Sequence, residues 1–172
     1  HPNSQPRRTR HIYIATRLER AGDARDLAHS LAELGYGIAS TWHDQRLSRE
    51  NESALSHKEA HEIRRQNLGA IRIASVFICL ADPQCRGTLV EIEYAHQHAL
   101  NDARTMICVG EPRVLGPMSA ILWDHVLIYD TTHAGIAREI HRRLCEEDMP
   151  WRARFTPRTC RPGRASTGTG GS

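Results

Sequence analysis

The chain has 172 residues, 40% of them hydrophobic and 25% charged, with a formal net charge of +3. These proportions fit one domain with a real apolar core; no run approaches the ~18 apolar residues of a membrane span, and the Arg-rich start lacks the apolar stretch of a signal peptide, so a soluble, cytoplasmic protein with no membrane partner is expected. Subtracting the eight arginines of residues 1–10 and 151–172, which hold no acid, leaves 15 basic against 20 acidic residues, about −5 on the body of the chain.

Both ends are Pro-, Ser- or Gly-rich, so residues 1–10 and 149–172 read as disordered basic tails around a folded domain over 11–148. Basic tails can touch nucleic acid, but no interleaved aromatics offer a base-stacking platform, and nucleic acid is not the expected partner. Residues 11–16 (HIYIAT) are the first strand, followed by Arg17 in a loop. A lone Arg at a strand's carboxyl end has no evident packing reason to be there and reads as functional. A helix over about 22–34 places Leu27, Leu31 and Leu34 on one face and stops at Gly35. Residues 36–42 are the second strand, which makes a βαβ start with parallel strands. Trp42-His43-Asp44 ends it and opens a polar stretch through Ser53.

The next helix spans roughly 54–74, with Ala60, Ile63, Asn67, Ala70/Ile71 and Ala74 on the face turned toward the sheet. Asn67 interrupts this apolar stripe and must find partners indoors, either as a buried amide bonded to backbone or in a site. His57 and His61 stand one turn apart, a zinc-compatible spacing, but no third ligand is suggested and a solvated face is expected, with no metal.

Val76-Phe77-Ile78-Cys79-Leu80 is an unbroken apolar run, the pattern of a central parallel strand covered on both faces. Asp82-Pro83 stops it, and after Arg86-Gly87-Thr88 the residues Leu89, Ile92 and Ala95/His96 recur at helical spacing. Strand, Gly-containing loop and helix N-terminus thus follow one another at the edge where open α/β sheets bind ligands. Glu91 has two readings here. Thr88-x-x-Glu91 has the spacing of a capping box. Alternatively, a carboxylate kept ionised by the helix N-terminus can attack an anomeric carbon and hold a sugar as an ester. Glu93 projects to another side of the helix and cannot share that role.

Gly87-Thr88-Leu89-Val90-Glu91-Ile92-Glu93-Tyr94-Ala95 behind an apolar strand resembles the signature of the nucleoside 2-deoxyribosyltransferase superfamily, which includes deoxynucleoside monophosphate N-glycosidases and CMP-type hydrolases. The resemblance covers about residues 11–145, and its specific part is this motif. It implies that Glu91 is the nucleophile and that Tyr13, Ala15, Thr16 and Arg17 match a loop contacting sugar or phosphate. Tyr13 is then a base contact or an ordinary strand aromatic. Trp42 and His43 fall where relatives place residues near the nucleobase, though Trp42 equally suits the edge of a core. Asp82, Arg86, Gly87 and Thr88 complete the substrate-binding set. Where relatives carry an Asp before the central strand this chain has Asn67, and where they carry a second Asp it has Ser75. Glu93 replaces a usual Gly, and Arg86 a usual small residue. These departures put full activity in question.

Residues 105–110 (TMICVG) and 125–130 (HVLIYD) are the fourth and fifth strands, and Thr131/Thr132 cap a last helix with Ile136, Ile140 and Leu144 inward. Between them, Arg113-Val114-Leu115-Gly116-Pro117-Met118 resembles the loop that relatives lend to a neighbouring subunit. The resemblance implies a homodimer, with Met118 and Ser119 as contacts. Cys79 and Cys108 fall in strands, Cys145 in a helix, and Cys85 and Cys160 in loop or tail; without metal spacing they read as reduced thiols.

The expectation is a five-stranded parallel sheet with helices on both faces, flavodoxin- or Rossmann-like, in strand order 2-1-3-4-5. Its expected activity is cleavage or transfer at the N-glycosidic bond of a (deoxy)nucleoside or nucleoside monophosphate. Any 5′-phosphate would meet Arg17 and Arg86. No cofactor is implied, since the leaving base needs only a proton. The alternatives are an NAD-cleaving enzyme of the Toll/interleukin-receptor type and a nucleotide-binding module that has lost turnover.

Overall fold

The computed structural model describes residues 9–45, 49–85, 87–102, 104–122, 126–129 and 132–147. Strands β1 (His11–Ala15), β2 (Gly37–Ile38), β3 (Val76–Leu80), β4 (Thr105–Val109) and β5 (Val126–Ile128) form one sheet in the order β2-β1-β3-β4-β5. All four pairings are parallel, as the apolar runs predict. Helices α1 (Ala21–Glu33) and α5 (His133–Glu147) pack together, as do α3 (His57–Ile73) and α4 (Gly87–Asp102), so both faces are covered. The short α2 (Arg49–Ser53) precedes α3. No helix of the described residues is long and apolar enough to cross a membrane.

The core follows from the strand sequences. Every residue of β3 is buried, and Tyr13 lies opposite Phe77 in the ladder, its ring stacked on the Phe ring with centroids 5.8 Å apart. Cys79 and Cys108 are register partners on the central strands, both buried. Cys79, Cys85, Cys108 and Cys145 are free thiols; Cys160 lies outside the described residues.

Two elements differ from expectation. The second strand, expected over 36–42, pairs at only Gly37 and Ile38. Past that point the Ser40 hydroxyl accepts the Ile14 N–H at 3.2 Å, a side chain taking the place of a ladder partner, and residues 42–44 turn into a 3-10 segment. The helix expected over about 54–74 begins only at His57, because Ser56 caps α3, and the short α2 falls in the stretch read as a polar loop. Its hydroxyl accepts the Glu59 N–H and the Glu59 carboxylate accepts the Ser56 N–H, a reciprocal capping box that opens α3.

Two arginines close the structure. Arg10, counted above with the tail, is joined to the fold: its carbonyl accepts the Gly37 N–H, and its guanidinium lies 3.3 Å from Glu147 Oε2. Arg104 is buried, and its guanidinium donates to three carbonyl oxygens: Ala74 at 2.7 Å, Ala95 at 2.7 Å and Arg72 at 3.3 Å. It therefore binds the C-terminal end of α3 to the middle of α4. At the sheet's edge, a Cβ on Gly37 would sit 2.8 Å from the His11 ring, so the imidazole lies against the bare backbone of β2.

Candidate active site

Order β2-β1-β3 means that the chain leaves β1 and β3 in opposite directions, and a crevice opens between their carboxyl ends. A cavity of about 1000 Å³ lies there. Of the residues singled out in the sequence, Thr16, Arg17, Trp42, Asn67, Gly87, Thr88 and Glu91 line it. They come from the segments after β1 and β2 and from α3 and α4, brought together by topology rather than by nearness in sequence.

Glu91 reaches the cavity floor from the second turn of α4. The Tyr13 hydroxyl donates to its Oε1 at 2.5 Å. Thr88 is the second residue of the helix, not the residue before it, so the Thr88–Glu91 capping box does not form. The expectation that the helix N-terminus keeps this carboxylate ionised also needs correction. Glu91 lies beyond the first turn, where the helix dipole fades, and burial pushes its pKa up to about 7, against the opposing pull of the Tyr13 hydrogen bond. Burial and the adjacent carboxylate raise the Tyr13 phenol, which stays a donor. Tyr13 is thus fully buried beneath the site and touches the carboxylate rather than the cavity.

Arg17 has a structural reason for its place that the sequence did not show. Its Nε lies 3.0 Å from Asp82 Oδ2 and its Nη1 donates to Gln84 Oε1 at 2.6 Å. Arg17 and Asp82 therefore pin the loop after β3 to the loop after β1. Thr16 reinforces this join, its hydroxyl donating to the Leu80 carbonyl at 3.0 Å. Trp42 closes the edge of the core, its indole N–H donating to the Ile14 carbonyl at 2.7 Å, and it also lines the cavity.

Asn67 is half-buried on the cavity wall, and its amide has no hydrogen bond to any described residue. The stripe that it interrupts faces open space at this height, since Ala60 and Ile63 line the same cavity. Ser75 lies at the amino end of β3, its backbone bridging His11 and Thr105, and does not line the cavity. Glu93 is exposed and bonded to Gln97.

Several predicted contacts lie elsewhere. His43 is buried behind the wall; its Nε2 meets the Ser40 hydroxyl at 3.2 Å, and burial lowers its pKa. Met118 is 80% exposed and away from the cavity, while Ser119 is buried, its hydroxyl donating to the Pro112 and Gly116 carbonyls. Arg86 lies outside the described residues. The His57 and His61 rings meet edge to face on an exposed turn, and no group of three or more His, Cys, Asp or Glu among the described residues is placed to hold a metal. Sequence reasoning passed over Arg64, which also lines the cavity. The signal was its spacing of four residues from Ala60 and three from Asn67, both already read on one helix face.

No family model matches the chain, and no curated protein matches it. Among solved structures, a CMP N-glycosidase from Clostridium botulinum is similar over 77% of this chain and 99% of that one, with 13% identity and a TM-score of 0.49.

Proposed function

We propose that the protein cleaves or transfers the N-glycosidic bond of a (deoxy)nucleoside or nucleoside monophosphate, with Glu91 as nucleophile. The observation that carries this reading is a carboxylate at the floor of a cavity of about 1000 Å³, bonded to Tyr13 and tuned to about pKa 7. Such a group is neither a capping residue nor a solvated surface charge. The resemblance of residues 87–95 to the deoxyribosyltransferase signature supports the same role.

In this mechanism a Glu91 oxygen bonds to the anomeric carbon as the carbon–nitrogen bond breaks. The bonding pair leaves with the base, which takes up a proton. Water, or a second base, then attacks the same carbon and frees the carboxylate. Tyr13 donates to the ionised form and so orients it. The exposed Met118 is the residue this reading leaves for a second subunit. The test is free-base release across ribo- and deoxyribonucleosides, their 5′-monophosphates and NAD; release from none of them sinks the reading.

The pH dependence follows from the tuned carboxylate. Protonated Glu91 cannot attack, so base release rises with pH through about 7 and then levels. Tyr13→Phe removes the bond that holds the pKa down and should move the midpoint up by about one unit. A midpoint that stays in place would show that the phenol does not act on the nucleophile.

Asn67 bears on the alternative of a module with weakened turnover. A carboxylate on this wall would favour the positive charge that develops on the sugar. Asn67→Asp is therefore expected to raise base release by about tenfold or more. Because the amide satisfies no described carbonyl, Tm should hold. A lower Tm with no gain in release would assign residue 67 to structure.

A further inference from the structure

We infer that Arg64 reads a phosphate on the substrate and makes nucleoside monophosphates, rather than nucleosides, the preferred class; this rests on the glycosidase reading above. Two consecutive arginines on α3 have different fates. Arg65 is spent on the helix surface, with both Nε and Nη2 bonded to Glu62. Arg64 lines the cavity and has no hydrogen bond or ion pair to any described residue. The other described guanidinium at the cavity, that of Arg17, is held by Asp82 and Gln84. Arg64 is thus the described cavity arginine whose donors are all available.

Its position gives that availability a use. Asn67 stands three residues further along the same wall, about 4.5 Å along the helix axis, with its amide also unpartnered among the described residues. The cavity therefore presents a nucleophile at its floor, then an amide and a guanidinium on one wall. A nucleoside monophosphate offers an anomeric carbon, sugar hydroxyls and a phosphate. The planar five-donor fork of Arg suits the phosphate oxygens. Arg64 is exposed to solvent, yet it lines the cavity together with Ala60 and Asn67, which stand four residues before and three after it on the same side of α3.

The test is calorimetric titration of the Glu91→Gln protein, which binds without turnover, with the common ribo- and deoxyribonucleosides and their 5′-monophosphates. The expected result is one base for which the monophosphate binds about tenfold or more tightly than its nucleoside. Adding Arg64→Ala should erase that gap and leave nucleoside affinity unchanged, while Arg64→Lys keeps part of it, having charge without the fork. Arg17→Ala should weaken both ligands equally by releasing the loop at 82–84. The inference is overturned if no monophosphate binds, if the gap is absent, if it survives Arg64→Ala, or if it is erased by Arg17→Ala or Arg86→Ala instead. Base release by the unsubstituted protein is scored separately. A gap that tracks Arg64 without any release keeps the phosphate site and removes the glycosidase reading; release with no gap does the reverse.

Discussion

Glu91→Gln is expected to lower base release by about 10³-fold or more and, at the same time, to stabilise the fold above neutral pH. Gln keeps the oxygen that accepts from Tyr13, so the bond survives the change. It has no charge, so it lacks the cost of holding an anion in this position. That cost has a definite sign. The folded pKa of about 7 lies above the ordinary 4.5, so between these values the folded protein binds more protons than the unfolded chain. Stability therefore falls as pH rises from about 4.5 to 7, by roughly 3 kcal/mol in total. The Gln protein should lack this slope. Denaturant melts of both proteins at pH 5 and pH 8 check it: parallel losses would mean that the carboxylate is solvated in the fold, and undiminished base release would remove Glu91 from the chemistry.

Arg104→Ala is the second large effect. The substitution takes charge-assisted donors from the carbonyls of Ala74, Ala95 and Arg72, within a buried setting. The expected loss is about 3 kcal/mol or more, roughly 5–15 °C in Tm for a chain of this size. Arg104→Lys can reach one carbonyl but not three and should recover part of the loss. Because Arg104 joins α3 to α4, it also fixes Asn67 and Arg64 relative to Glu91. Base release measured well below Tm should fall as well, although residue 104 does not line the cavity. An unchanged Tm would mean that water takes over the three carbonyls.

These two residues mark what the sequence discloses and what it withholds. The apolar run at 76–80 is legible as a central strand because burial on both faces favours an unbroken apolar composition, and the parallel sheet follows from alternating strands and helices. Glu91 was legible as a candidate from its motif, but its state was not. The spacing Thr88-x-x-Glu91 matches a cap, while the capping box that forms is Ser56-x-x-Glu59. Three-residue spacing is the same in both, and what differs is where the helix starts. The partner that decides Glu91's behaviour, Tyr13, is 78 positions away in sequence. The ion pair of Arg17 was hidden for a similar reason, since its carboxylate partner arrives with a different strand. Arg104 left no pattern at all, because a single Arg before a strand looks like any solvated charge until two helix backbones are brought to it.

The two-residue β2 has a consequence for life in a crowded solution. An outermost strand offers unpaired backbone groups to any other extended chain, and long flat borders of this kind seed aggregates. Here that border offers only a rung or two, and the chain then turns away into a 3-10 segment. The chain fragment that could add itself there would gain too few hydrogen bonds to offset the entropy of ordering its own backbone. Ending the sheet early on this side is a defence against runaway polymerisation, set by the same Ser40 contact that ends the ladder.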